Sequence, residues 1–114
     1  MSTTILIIDD EEPARINIGD FLNGRGYEVL SAGTLAEARQ HLRDNTADII
    51  LLDVQLPDGY GPDLLEETSN LPVRPPIILI TAYGDIEMAV DAMKNGAHDF
   101  LQKPIEFIQL EKSI

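Results

Sequence analysis

Cysteine and tryptophan are both missing from the 114 residues. Without cysteine there is no disulfide framework, no thiolate zinc site and no cysteine nucleophile, which suits a cytoplasmic location. Basic residues are scarce: eight Lys and Arg stand against twenty Asp and Glu, a net charge of -12. A domain this acidic is repelled by nucleic acid and anionic lipid, so no direct DNA or membrane contact is expected. Long apolar runs are also lacking, and Met1-Ser2-Thr3-Thr4 carries no basic region ahead of one, so neither a signal peptide nor a membrane span is expected. What remains is ordinary for a globular fold: 44% hydrophobic and 25% charged residues in 12.6 kDa, enough for one compact domain and too little for two.

Short apolar runs punctuate the chain at Ile5 to Ile8, Tyr27 to Leu30, Ile49 to Leu52, Ile77 to Ile80 and Asp99 to Leu101. Each reads as a strand. The runs at Ile5, Ile49 and Ile77 are apolar at every position, the pattern of strands covered on both faces, which implies a parallel sheet. Helical periods lie between them. Pro13 opens a first helix in which Ala14, Ile18, Phe21 and Leu22 share a face, with Gly24 or Gly26 as its left-handed stop. Thr34 and Glu37 form a capping box ahead of Leu35, Ala38 and Leu42. Pro62 opens a short third helix with Leu64 and Leu65; Asp85 caps a fourth whose Ala89, Ala92 and Met93 face the core, ending at Gly96. Phe107, Leu110 and Ile114 have the spacing of a fifth, which stops abruptly at the chain end as if cut from a longer protein.

Strand and helix alternate five times, and right-handed crossovers turn that into an α/β doubly wound parallel sheet. In such sheets function gathers at the carboxyl ends of the strands. The first strand runs into Asp9-Asp10-Glu11-Glu12 and the third ends in Asp53. If those strands are neighbours, as in the flavodoxin-like order 2-1-3-4-5, three carboxylates meet in one pocket and a proton or a cation must relieve their repulsion. All-oxygen ligands suit Mg²⁺, although Asp9 to Glu12 could equally complement the positive end of the first helix. The fourth strand ends in Thr81-Ala82 and the fifth in Lys103-Pro104, so a hydroxyl and an ammonium reach the same rim; together they describe a phosphoryl site beside a metal.

Ile7-Ile8-Asp9-Asp10-Glu11, Asp53-Val-Gln-Leu-Pro57, Thr81-Ala82 and Lys103-Pro104 resemble, in order and spacing, the receiver domain of two-component response regulators, over the whole chain. The resemblance implies that Asp53 is the nucleophile taking a phosphoryl group from a phosphohistidine on a sensor histidine kinase. It implies Mg²⁺ held by Asp9, Asp10, Asp53 and the backbone carbonyl of Gln55. Lys103, the Thr81 hydroxyl and the Ala82 N–H would bind the phosphoryl oxygens, Pro104 would follow a cis peptide, and Thr81 and Phe100 would form the switch. The face of the fourth helix, fifth strand and fifth helix would then report the change through a homodimer or an output domain. The protein would be a phosphoryl acceptor with at most its own dephosphorylation, not an enzyme turning over a separate substrate.

Leu56-Pro57-Asp58-Gly59, the run Thr81 to Ala89, Asn95-Gly-Ala97 and Asp99-Phe-Leu101 resemble the receivers of sigma-54-dependent transcription activators. A stand-alone receiver without DNA-binding output is the alternative, as is a receiver-like scaffold that works without phosphorylation. Leu56 stands where many receivers have Met, and Tyr60 where an acid or Ser is frequent. Gln55 and Tyr83 sit where receivers vary and where bulk can obstruct an attacking water, which implies a long-lived phosphoryl state. A flavin carrier on the same fold would need a phosphate-cradling loop where Asp9 to Glu12 would repel it. A haloacid dehalogenase-type hydrolase would need a second Asp where Gln55 stands. His41 and His98 are given no role.

Overall fold

The structure, a computed structural model, describes residues 3–44, 47–72, 74–82 and 86–114. Five parallel strands, β1 (Thr4–Ile8), β2 (Glu28–Ala32), β3 (Ile49–Asp53), β4 (Ile77–Thr81) and β5 (Asp99–Gln102), lie in the order β2-β1-β3-β4-β5. This is the flavodoxin-like order, with β1 and β3 as neighbours. Helices α1 (Glu12–Gly24), α2 (Leu35–Asp44), α3 (Asp63–Thr68), α4 (Ile86–Lys94) and α5 (Phe107–Ser113) cover its two faces.

The central strands are apolar throughout because alternate side chains enter different cores. Leu6, Ile8, Ile50, Leu52 and Leu79 pack with Leu35 and Ala38 of α2, Leu64 and Leu65 of α3 and Ala92 of α4. Ile5, Ile7, Leu51, Ile78 and Ile80 pack with Ile18 and Leu22 of α1 and Leu110 of α5. Each Leu or Ile side chain among them, moved fully out of water, contributes about 1.5–3 kcal/mol. Phe107, at the exposed start of α5, stacks on Phe21 with ring centroids 4.3 Å apart.

Several boundaries differ from expectation. β2 begins at Glu28 and runs on through Ser31 and Ala32, which pair with Ile7 and Ile8. As an edge strand it accepts polar residues that an apolar run does not reveal. Tyr27 is not in the strand, because its N–H closes the end of α1 on the Leu22 carbonyl, after Gly26 at φ +91°. Gly24 is the last helical residue, so Gly26 is the stop. In α4, Ala89 and Ala92 are buried but Met93 is 38% exposed, correcting its assignment to the core. One residue past Ala92 turns the side chain about 100° around the helix, and Met88 packs against the core instead. The expected cap Asp85 lies outside the described residues. No helix among the described residues is long and apolar enough to cross a membrane.

Candidate functional site

β1 and β3 are paired with Ile8 opposite Leu52, so the residues that follow, Asp9 and Asp53, emerge side by side. Asp9 is fully buried and Asp53 nearly so, while Asp10 is exposed at the rim. Each offers a carboxylate oxygen within 4.8 Å of the others. Asp9 Oδ1 accepts the Glu11 N–H at 2.9 Å, whereas its buried Oδ2 accepts no hydrogen bond from the described residues. A buried carboxylate oxygen without a donor costs free energy, and a cation nearby compensates for it.

That cation is Lys103, carried to the cluster by the end of β5. Its Nζ lies 3.3 Å from Asp9 Oδ2, 3.3 Å from Asp53 Oδ2 and 2.8 Å from Glu11 Oε1. The next peptide, Lys103–Pro104, is cis. Burial pushes the Asp53 carboxyl up to about 6, and the neighbouring Asp9 charge adds to the effect against the opposing ammonium. Burial works against the Lys103 ammonium, but the Glu11 hydrogen bond and the Asp53 and Asp9 charges outweigh it and raise its pKa. Glu11 is lowered by its hydrogen bond to Lys103.

Thr81 ends β4 one residue past Ile80, the partner of Asp53, and is buried with its hydroxyl donating to the Leu101 carbonyl at 3.5 Å, the weak limit of a hydrogen bond. Ala82 follows it, exposed. Phe100 is half-buried on β5 against the α2, α3 and α4 core. Gln55 is exposed at the start of a two-stranded antiparallel ribbon, Gln55–Leu56 with Gly59–Tyr60. Tyr83 lies outside the described residues. His41 Nε2 sits 3.0 Å from the Ser31 carbonyl, joining α2 to β2 away from the cluster.

Three further contributors were missed in the sequence. Glu11 takes the shortest contact to Lys103, yet nothing in the run of four acids says which of Glu11 and Glu12 turns inward. Gly61 lies so close to the Asp53 backbone that a Cβ there would fall against the Asp53 carbonyl oxygen; the Gly59-x-Gly61 spacing was the available signal. Asp58 caps α2 from across the fold, accepting the N–H groups of Leu35 at 2.8 Å and Ala36 at 2.9 Å beside the Thr34 hydroxyl, which accepts Glu37 N–H as expected.

Comparison with known proteins agrees with this geometry. Residues 5–114 match the model of the response regulator receiver domain. The response regulator protein PilR of Pseudomonas aeruginosa is 37% identical over 109 residues, which are 96% of this chain and 24% of that protein. The transcriptional regulatory protein ZraR of Escherichia coli is 34% identical over 110 residues, 96% of this chain and 25% of that protein. The chain thus spans about a quarter of the length of these relatives. A solved response regulator receiver domain protein from Clostridium thermocellum superposes with a TM-score of 0.89 at 34% identity, covering 97% of this chain and 90% of that one. A family match across nearly the whole chain, with the same fold in a solved relative, means that the chain belongs to the response regulator receiver domain family.

Proposed function

We propose that the chain accepts a phosphoryl group on Asp53 from the phosphohistidine of a sensor histidine kinase and passes the change to an output domain. The observation that carries this reading is the meeting of Asp9, Asp10 and Asp53 within 4.8 Å under the single ammonium of Lys103. An Asp53 carboxylate oxygen attacks phosphorus; the O–P bond forms as the N–P bond breaks, and the imidazole leaves with the bonding pair and takes a proton from solvent.

The donor set fits a hard divalent ion. It is all oxygen, partly open to water, and leaves Asp9 Oδ2 without a hydrogen bond from the described residues. Asp9, Asp10, Asp53 and the Gln55 backbone carbonyl would hold Mg²⁺, which when bound spreads the charge developing on the phosphoryl oxygens. Lys103 pairs with one phosphoryl oxygen. The Thr81 hydroxyl, weakly held on Leu101, turns to a second with the Ala82 N–H, and Phe100 follows into the space left behind. The bulk of Gln55, and by the sequence resemblance that of Tyr83, slows hydrolysis of the aspartyl phosphate. Beside Lys103, a groove of about 510 Å³ lined by Ala14, Ile18, Pro104, Ile105 and Phe107 gives the donor protein apolar surface to pack on.

The readout is the face of α4, β5 and α5. Ile86, Val90 and Met93 form an exposed apolar stripe along α4, suited to a second copy or to an output domain. Relatives such as ZraR are transcriptional regulators about four times as long; with the likeness of residues 56–59 and 81–89 to the receivers of sigma-54-dependent activators, we take the output to be transcription activation of that kind. Incubation with acetyl phosphate, with and without Mg²⁺, tests the reading by intact mass. It expects a Mg²⁺-dependent gain of one phosphoryl group that Asp53→Asn lacks; no gain in folded protein with either acetyl phosphate or a phosphorylated kinase rejects it.

A further inference from the structure

Lys103 shares one ammonium among three carboxylates, and the distances rank them. Nζ is 2.8 Å from Glu11 Oε1 and 3.3 Å from both Asp53 Oδ2 and Asp9 Oδ2. Distance and burial run in opposite directions: the shortest contact goes to the acid whose side chain is 64% exposed, against 10% for Asp53 and 0% for Asp9. Glu11 is also anchored, since its backbone N–H is donated to Asp9 Oδ1. We infer that Glu11 is a positioning residue that holds the Lys103 ammonium at the mouth of the cluster in the resting protein and yields it to the incoming phosphoryl group. This rests on the phosphoryl-acceptor reading above.

Glu11 is the partner that can let go. A buried carboxylate deprived of its cation has no water to turn to, whereas an exposed one is rehydrated at once. A phosphoryl group bearing nearly two negative charges attracts an ammonium more strongly than a single carboxylate does. Lys103 must therefore be drawn from Glu11 before it serves the phosphoryl oxygens, and Glu11 opposes that transfer. Glutamine at this position keeps the shape and the backbone bond to Asp9 but removes the charge that competes for Lys103.

The test compares wild type, Glu11→Gln, Asp53→Asn and a control, Glu12→Gln, which removes an equal charge one residue away. Each is incubated with acetyl phosphate and Mg²⁺ and followed by intact mass, and the Lys103 ζ-nitrogen resonance is recorded by NMR before the donor is added. Glu11→Gln is expected to gain its phosphoryl group about two- to fivefold faster than both wild type and Glu12→Gln. Its resting Lys103 resonance is expected to shift while that of Glu12→Gln stays with wild type. Phosphorylation of Glu11→Gln no faster than Glu12→Gln, or an unmoved Lys103 resonance, overturns the role of Glu11 and leaves phosphoryl acceptance standing. A folded wild type that gains no mass while Asp53→Asn behaves identically takes down the underlying reading and this inference with it.

Discussion

Asp53 precedes one short ribbon and Asp58 lies in the turn of that ribbon, and their surroundings are opposite. Both oxygens of Asp58 are taken by backbone N–H groups of α2, and those bonds, led by the one from Leu35, hold its carboxyl below the ordinary range. Asp53 has burial and the charge of Asp9 against it, relieved among the described residues by a lysine it shares, and its carboxyl is pushed up to about 6. The first carboxylate is fully spent on holding the fold together. The second is short of donors, and that shortage is the capacity to take a cation or a phosphoryl group. Nearness to the ribbon does not separate the two; the number of donors reaching each oxygen does.

The sharpest way to break this contrast is at Gly61, where the ribbon carrying Asp58 folds back on the Asp53 backbone. Gly61→Ala sets a Cβ against the Asp53 carbonyl oxygen, which neither backbone can easily yield. Urea unfolding is expected to show a loss of about 1–3 kcal/mol, and Mg²⁺ binding should weaken in the protein that still folds.

Asp53→Asn should do the reverse and stabilise the resting protein. A carboxyl whose folded pKa is raised from 3.8 to about 6 carries a penalty that is absent below the lower value and complete above the higher one. Without Mg²⁺, the variant is therefore expected to exceed wild type by about 1–2 kcal/mol at pH 7, allowing for screening, with the gap closing as pH falls from 6 toward 4. Equal stabilities at both ends of that range in urea titrations would contradict the claim that Asp53 is held at a cost.

Asp58→Ala should lower Tm measurably at neutral pH, and Asp58→Asn less, because an amide keeps one acceptor for the α2 N–H groups. Since the Asp58 pKa is depressed on folding, the wild-type advantage is present above the ordinary aspartate value and disappears as pH falls through the depressed one. Neither variant should change whether Asp53 is phosphorylated. The smallest effect belongs to the exposed pair of Arg39 and Glu67, joined by two 2.8 Å hydrogen bonds. Glu67→Gln is expected to cost about 0.2–1 kcal/mol at low salt, and less when thermal unfolding is repeated in high salt.

The fold was legible where apolar side chains do the specifying. Strands buried on both faces announce themselves as unbroken runs, and Leu35, Ala38, Ile18 and Leu22 fall on helical faces that the cores fill. Legibility failed where backbone hydrogen bonds decide, as at Tyr27, whose N–H is committed to closing α1, and at Ser31, a polar residue an edge strand tolerates. Met93 was misplaced because adjacent Ala92 and Met93 both fit a loosely drawn helical stripe. In the site, Asp9, Asp53 and Lys103 could be placed together once the strand order was known. Glu11 and Asp58 could not, because each acts through a contact distant in sequence, to Lys103 or to α2, that no local pattern encodes.

The difference between Asp53 and Asp58 is measured directly by carboxyl ¹³C NMR titration. Without Mg²⁺, Asp53 should titrate near pH 6, while Asp58 titrates below the ordinary aspartate value. Adding Mg²⁺ should bring the Asp53 titration down and leave Asp58 where it was. An Asp53 carboxyl that titrates as an ordinary aspartate without Mg²⁺, or one that Mg²⁺ moves no more than it moves Asp58, would contradict the account.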